Sequence, residues 1–593
     1  MILPQIAYVR GRLQLLHLAF TMRRVALRRK HFLFAVIALL LFIVGWLYWN
    51  RRLRTDLSSY APADALGFIE VNDLSEIANG ITETQAWKSL AGPIGSPGTL
   101  APNRWLIRLA QWTGIGSTDT ILFARSQVAI VFGGAEGTQA GSTLVIKPLT
   151  TFIIDTHTSQ RRMRSTVERH IEELARRLYQ NPVFVRKQIA GNDFQEWQSA
   201  DGSHVIVFAF ADTAVLLGNN ETSVLHSLET HTGQRASLTD QSDLSAARQI
   251  IDGGGAPLFG YVTQPGIKSL LQGFALYRSG SSADAVTGAR IFSDTMGGLV
   301  KSISWTSRFA DGGIEDHCSI VLSDGVADKL RGSMVPDRGP DVTRLLFVPT
   351  DIHSLSFYQF RDANAFWSDL NATVSAHTDL IGAVAARPML RALVRPYGID
   401  DADTFARAIG PRIQTVRLEK DSPAVLIAEV FDRQALRKAI AQRFGANPEI
   451  ESVGDAELLI SKDNWAAAFL QDSFLIGPAE LVRKCLQARA PAASSSPDRL
   501  RQTQNLIDVS LPLTSVTFTD DRQAAISFVE AFSKQDRPAF ATNASTIDGG
   551  ARSLPFAVSV SLLKGPAIDW TSRSSFGVVG WLATELMSPP QSR

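Results

Sequence analysis

The stretch SHVIVFAFADTAVLLGNNETSVLHSLET, residues 203–230, reads as strand, tight turn, strand, helix. Two apolar runs flank Asp212, and a turn between two such runs is the signature of a β-hairpin. Gly218 ends the second run, and a helical pattern follows. The same order returns in NWAAAFLQDSFLIGPAELVRKCLQA, residues 464–488, with Asp472 and Gly477 in the corresponding places. The question is whether this is one motif used twice or one module used twice.

Working outward, the neighbours agree. YAPADALGFIEV, residues 60–71, has the pattern of FVPTDIHSLSFYQF, residues 347–360: Pro, Asp, then an apolar strand. Each is followed by a helical stretch carrying one tryptophan, Trp87 or Trp367. The charged helices SQRRMRSTVERHIEELARRLY and DRQALRKAIAQRFG precede the two hairpins. Each series closes with two strands about a glycine-containing turn, in SISWTSRFADGGIEDHCSIVLSD and FAVSVSLLKGPAIDWTSRSSFG. The offset falls from 287 at Pro62 and Pro349 to 259 at Gly218 and Gly477. The lost residues fall in loops, where length is cheap to change.

The fold class predicted is therefore α+β: an N-terminal transmembrane helix, then two tandem duplicated α+β domains with mainly antiparallel sheets. The boundaries are residues 60–329 for the first repeat and 346–587 for the second, with a short tail at 588–593. Residues 330–345, LRGSMVPDRGPDVTRL, read as a linker because of their glycines, prolines and mixed charge. ARAPAASSSPDRL, residues 488–500, reads as a loop inside the second repeat.

The membrane reading comes from residues 31–50, HFLFAVIALLLFIVGWLYWN. Phe32 to Trp49 is free of charge. At about 1.5 Å per residue in a helix, such a run spans roughly the hydrocarbon thickness of a bilayer. Trp46, Tyr48 and Trp49 gather at one end, where amphipathic rings favour the interface. Arg23, Arg24, Arg28, Arg29 and Lys30 precede the run and hold the N-terminal flank in the cytoplasm. Residues 1–30 are then a basic cytoplasmic tail, 31–50 a signal anchor in the inner membrane, and 51–59 a juxtamembrane linker. No small-x-small cleavage site follows, so the segment is retained. FGVVGWLATELM near the C-terminus is too short to span and contains Glu585.

Charge divides at the same place. Residues 1–54 carry ten Lys and Arg and no acid, which leaves 49 basic and 57 acidic residues in the remainder. A net charge of −8 in the bulk argues against a nucleic-acid partner, which needs a basic face. The two cysteines, Cys318 and Cys485, form no CxxC and read as buried thiols.

The Pro62-Ala63-Asp64 opening, the Asn72-Asp73-Leu74 start of a helix, the hairpin ending in Gly218 and the FADGG turn resemble a bacterial family of anchored extracytoplasmic proteins, catalogued as a domain of unknown function. The resemblance implies a single-pass, extracytoplasmic protein. It implies no activity. In the second repeat Asp362 stands in for Asp73 in a shifted context, which puts the helix cap in doubt there.

No linear motif supplies chemistry, a cofactor or a metal. The glycine run GGAEGTQAG, Gly133 to Gly141, lies between two strands and reads as a hairpin loop, since a dinucleotide loop needs a helix after it. His170 and Glu173 lack the second histidine of a zinc motif. Glu315, Asp316, His317 and Cys318 adjoin in sequence, but in a strand at most two share a face. Asp119 with Thr120, and Asp403 with Thr404, read as helix caps. Trp87 and Trp367 read as core or inter-domain packing. The expectation is a non-enzymatic scaffold of the cell envelope, in contact with the lipid bilayer through one helix and with an envelope protein as partner. A carrier of an apolar ligand in a cleft between the repeats is the alternative, and an enzyme with a site dispersed in sequence is the third.

Overall fold

The computed structural model describes residues 54–587, apart from 92–125, 141–142, 158–159, 180, 280–282, 344, 377–389, 392–393, 446–447, 490–497, 505, 509 and 534–543. Asp56–Arg593 forms one compact unit.

Among the described residues ten strands occupy the first half: β1 (Gly67–Val71), β2 (Gln127–Ala140), β3 (Thr143–Asp155), β4 (Val183–Ile189), β5 (Asn192–Gln198), β6 (Val205–Ala211), β7 (Ala214–Gly218), β8 (Leu258–Thr263), β9 (Val300–Ala310) and β10 (Gly313–Leu322). Ten more follow: β11 (Ser354–Gln359), β12 (Ile409–Arg417), β13 (Val425–Val430), β14 (Glu449–Val453), β15 (Ala456–Ile460), β16 (Trp465–Phe469), β17 (Ser473–Pro478), β18 (Ser515–Thr519), β19 (Ala557–Lys564) and β20 (Ala567–Ser574).

All pairings are antiparallel. The first half runs β4-β5-β6-β7-β3-β2-β1-β8-β9-β10. The second runs β14-β15-β16-β17-β13-β12-β11-β18-β19-β20, the same order strand for strand. β10 and β20 pair along eight residues, from Ile314 opposite Ser574 to Val321 opposite Ala567. The two halves are thus one continuous twenty-stranded sheet, joined through equivalent strands.

The hairpins that identify the halves are apolar on both faces because both faces are covered. Ala466, Ala468 and Leu475 pack with Val482 and Leu486 on one side, while Ala467, Phe469, Phe474 and Ile476 pack with Leu436 and Ile440 on the other. In the first half Val207, Ala209 and Leu216 meet Val224 and Leu228, and Phe208 and Val215 meet Val167 and Ile171. A strand buried on both faces loses the polar–apolar alternation of a half-buried one. Asp212 takes a left-handed backbone, φ 47°, in the two-residue turn between β6 and β7, a conformation that Asp tolerates better than most residues.

Helix starts are capped alike in the two halves. Glu76 N donates to Asp73 Oδ1 at 3.0 Å, and Ala365 N donates to Asp362 Oδ1 at 2.9 Å. The shifted aspartate therefore does the same work, satisfying an amide that the helix leaves open.

Several sequence expectations need correction. The segment read as a linker is partly helical, within Val326–Met334, and Leu330, Val342 and Leu345 are core residues. The glycine run read as a loop is mostly strand: β2 continues through it, bulged between Phe132 and Gly134, and pairs with β3 as far as Ala140 opposite Thr143. Ladder hydrogen bonds need no side chain, so glycines do not end the strand. Asp403 is not a cap. Asp401 takes that role for the helix Ala402–Ala408, accepting from Thr404 N at 3.0 Å.

Candidate functional site

The seam between the halves is where the alternative reading, a carrier, places its cleft. Among the described residues it is packed with side chains. Trp87, Leu90 and Ala91 of the first half pack against Phe528, Val529, Ile547, Ala551 and Phe576 of the second. The converse contact sets Leu322, Val326 and Leu330 of the first half against Val374, Leu390 and Leu563 of the second, with Trp367 at its border. Both corresponding tryptophans therefore serve contact between the halves. Close approach depends on Gly550, where a Cβ would lie 2.6 Å from the carbonyl oxygen of Ser89.

Open space with polar lining occurs in the second half. A pocket of about 300 Å³ is lined by Asn364, Trp367, Ser368, Asn371, Arg391, Asp403 and Arg407. Asp403 organises it. Its Oδ1 accepts from Trp367 Nε1 at 2.7 Å, and its Oδ2 accepts from Arg391 Nη2 at 3.1 Å. Those bonds, Trp367's first, hold the Asp403 carboxyl below the ordinary carboxylate range despite partial burial. Arg407 Nη2 donates to Thr404 Oγ1 at 3.1 Å. Such a lining suits small polar solutes rather than an apolar ligand. A second pocket, of about 270 Å³, opens at the ends of β11, β12 and β13 beside the Arg412–Glu429 ion pair, whose Nη2–Oε1 distance is 2.9 Å.

A set of titratable side chains lies elsewhere, at the turn between β6 and β7. Asp155 Oδ1 accepts from Thr213 Oγ1 at 2.8 Å and from His157 N at 2.9 Å, and lies 3.4 Å from His157 Nδ1. His231 Nε2 lies 3.1 Å from Asp212 Oδ2, and its ring stacks on Tyr60 with centroids 4.0 Å apart. Burial, then the charges of Asp155 and Asp212, raise the Tyr60 hydroxyl well above its usual pKa. These residues come from four places in the chain. Only the turn aspartate, Asp212, was visible in the sequence, and it was read as a turn.

Other buried acids are dispersed. Burial pushes the Glu70 carboxyl up to about 7, although Arg248 pulls against it. Burial also raises Asp316, whose Oδ1 accepts from Ser307 Oγ at 2.5 Å and whose Oδ2 accepts from Val578 N at 3.0 Å. Asp316 and His317 alternate along β10 as a strand requires: His317 instead approaches Asp569, at 3.9 Å. His170 sits 3.6 Å from Glu173 on one helix. Among the described residues no group of three His, Cys, Asp or Glu could hold a metal ion. Cys318 and Cys485 are free thiols, raised by burial to about 11 and about 12.

The residues assigned to the membrane anchor, Phe32, Trp46, Tyr48 and Trp49, and the basic flank Arg23, Arg24, Arg28, Arg29 and Lys30, lie outside the described residues, as does most of the loop at 488–500. Among the described residues no helix is long and apolar enough to cross a membrane. No family model matches the chain, and no curated protein or solved structure matches it.

Proposed function

We propose that the chain is a single-pass inner-membrane protein of the bacterial cell envelope, cytoplasmic at its N-terminus, whose extracytoplasmic bulk binds or scaffolds an envelope partner without an enzymatic step. We further propose that the bulk arose by duplication of one α+β module, and that it resembles the anchored family named above through its Pro62-Ala63-Asp64 opening.

The observation that carries the reading is the fused sheet with its filled seam. Two modules with the same strand order share one ladder, β10 with β20, and exchange buried tryptophan-bearing helices. Such a body presents a broad rigid surface rather than a hinged cleft. Ligand sites between domains need a cleft, so the seam favours scaffolding over carriage of an apolar ligand. The topology rests on the basic flank and the uncharged run from Phe32 to Trp49.

Two measurements test it. Reporter fusions at the C-terminus should be active only outside the cytoplasm; a cytoplasmic C-terminus sinks the topology. Purification of the tagged full chain from gently solubilised membranes, followed by mass spectrometry of proteins and lipids, should yield a stoichiometric protein partner. A bound lipid with no protein partner would instead support a carrier, and neither would count against both.

A further inference from the structure

We propose that copies of this chain associate edge to edge and head to tail, β4 of one copy pairing with β14 of the next. The inference does not depend on the membrane topology proposed above.

β4 and β14 are the outer strands of the sheet: among the described residues β4 pairs only with β5, and β14 only with β15. Each presents unpaired backbone N–H and C=O groups, a template for another strand. The two edges carry opposite charge. β4, VFVRKQI, has Arg186 and Lys187 and no acid; β14, EIESV, has Glu449 and Glu451 and no base. The reversal is positional. Ile189 opposite Asn192 and Val453 opposite Ala456 close the equivalent hairpins, and Lys187 and Glu451 each stand two residues before that closure.

Part of this charge is satisfied at home. Lys187 Nζ lies 2.9 Å from Glu196 Oε2 and 2.5 Å from Glu221 Oε1, and Arg483 Nη2 lies 2.7 Å from Glu451 Oε2. Arg186 and Glu449 make no ion pair among the described residues. Both edges also expose apolar side chains: Val183 is 53% and Phe184 39% exposed on β4, and Ile450 is 61% exposed on β14.

Charge selects the pairing. Two β4 edges would oppose Arg and Lys to Arg and Lys; two β14 edges would oppose Glu to Glu. Like charges directly opposite destabilise a strand pair, and opposite charges stabilise it. Only β4 with β14 sets unlike charges on one face: in an antiparallel pair Lys187 shares its face with Glu449 and Glu451, while Arg186, on the other face, adds to the positive charge of the edge. Since each copy keeps one free edge of each kind, the contact is heterologous and propagates rather than closing as a dimer. The chain already joins two of its own equivalent strands in this antiparallel manner at β10 and β20.

The test uses the full-length chain in detergent, in a background with Cys318 and Cys485 replaced. Gln188→Cys and Ser452→Cys place one thiol on each exposed edge. A short bifunctional maleimide should cross-link a mixture of the two single-cysteine proteins into heterodimers and give no dimer with either protein alone. Arg186→Glu or Glu449→Lys, both at exposed positions, should lower the yield severalfold, because each removes part of the opposite charge of the two edges. Added salt should also lower it, because exposed charges are screened. Dimers from Gln188→Cys alone or from Ser452→Cys alone would overturn the head-to-tail pairing. A mixture that cross-links no more than its components would overturn the association altogether.

Discussion

His317 and Thr571 face each other across the β10–β20 ladder, and each holds the same place in its own half. Gly313 opens β10 and Ala567 opens β20, 254 residues later; Thr571 follows His317 by the same interval. The pseudo-twofold axis of the sheet passes between these two residues. Thr571 also pairs with Val560 on β19, the strand toward which its N–H and C=O point.

Ser572→Pro removes one amide from this ladder, because Asp316 and Ser572 form a hydrogen-bonded pair where His317 and Thr571 do not, and leaves its partner carbonyl unmet. The loss should be on the order of 1–3 kcal/mol, the cost of a buried group left unsatisfied. Because the ladder couples the halves, one cooperative denaturation transition in the parent should become two in the variant. A single unshifted transition would show that the helical seam alone couples them.

Trp87 is 1% exposed and lies in a core cluster shared by the two halves. Trp87→Ala should cost about 3–5 kcal/mol by analogy with large-to-small core substitutions. Trp581, 62% exposed, provides the contrast: its replacement by Ala should change stability by no more than about 0.5 kcal/mol. Chemical denaturation of both variants decides the matter.

Gly550 lets the helix Ala544–Arg552 approach the helix Gln85–Leu90 to backbone contact. Gly550→Val forces the two apart and should destabilise by roughly 1–3 kcal/mol, the usual cost of overpacking. Hydrogen exchange should rise in both helices, though only one carries the change. Exchange confined to residues 544–552 would contradict the packing described.

The pH dependence of stability should carry the mark of Glu70. Its ordinary value of 4.5 rises to about 7 in the folded chain, chiefly through burial. A raised carboxyl means that the folded state holds the proton more tightly. The stabilisation is complete below pH 4.5 and is lost as pH rises through about 7. Glu70→Gln should therefore gain on the parent across that window and run parallel to it above. Arg248 should remain clamped in the variant by its two bonds to Asp56, at 2.9 and 3.0 Å. Asp56 has the opposite sign. Burial opposes its ionisation, but bonds from Arg248 and Ser58 hold its pKa down, so its contribution is lost only as pH falls below the ordinary 3.8.

The hairpins at Asp212 and Asp472 were legible because turn chemistry and long apolar runs are local signals. The order of elements along the chain in each half followed from repetition of those signals, whereas the order of the strands in the sheet did not. The junction was not legible. SISWTSRFA and GIEDHCSIVL read as two strands of one hairpin whether or not a third strand lies alongside. Nothing local in β10 tells a paired edge from a bare one. The same limit hid the group around Asp155 and Asp212: His157 is near Asp155 in sequence, but only the β3–β7 pairing sets Asp155 beside Thr213, and only the helix Glu221–His231 returns His231 to Asp212. Asp403 misled for the reverse reason: an aspartate two positions earlier, Asp401, already supplied the cap, freeing Asp403 for Trp367 and Arg391.

The β10–β20 ladder also sets a problem of timing. When the chain has been made as far as Leu322, β10 has its partner β9 on one side only, and the strand that covers the other side ends at Ser574, 252 residues later. At about 5–20 residues per second, that interval is roughly 13–50 s. Throughout it a nascent chain offers an open strand to any neighbour, including the same strand of a chain on the next ribosome. A cell that makes this protein must keep such chains apart, or shield that strand, until the second half arrives.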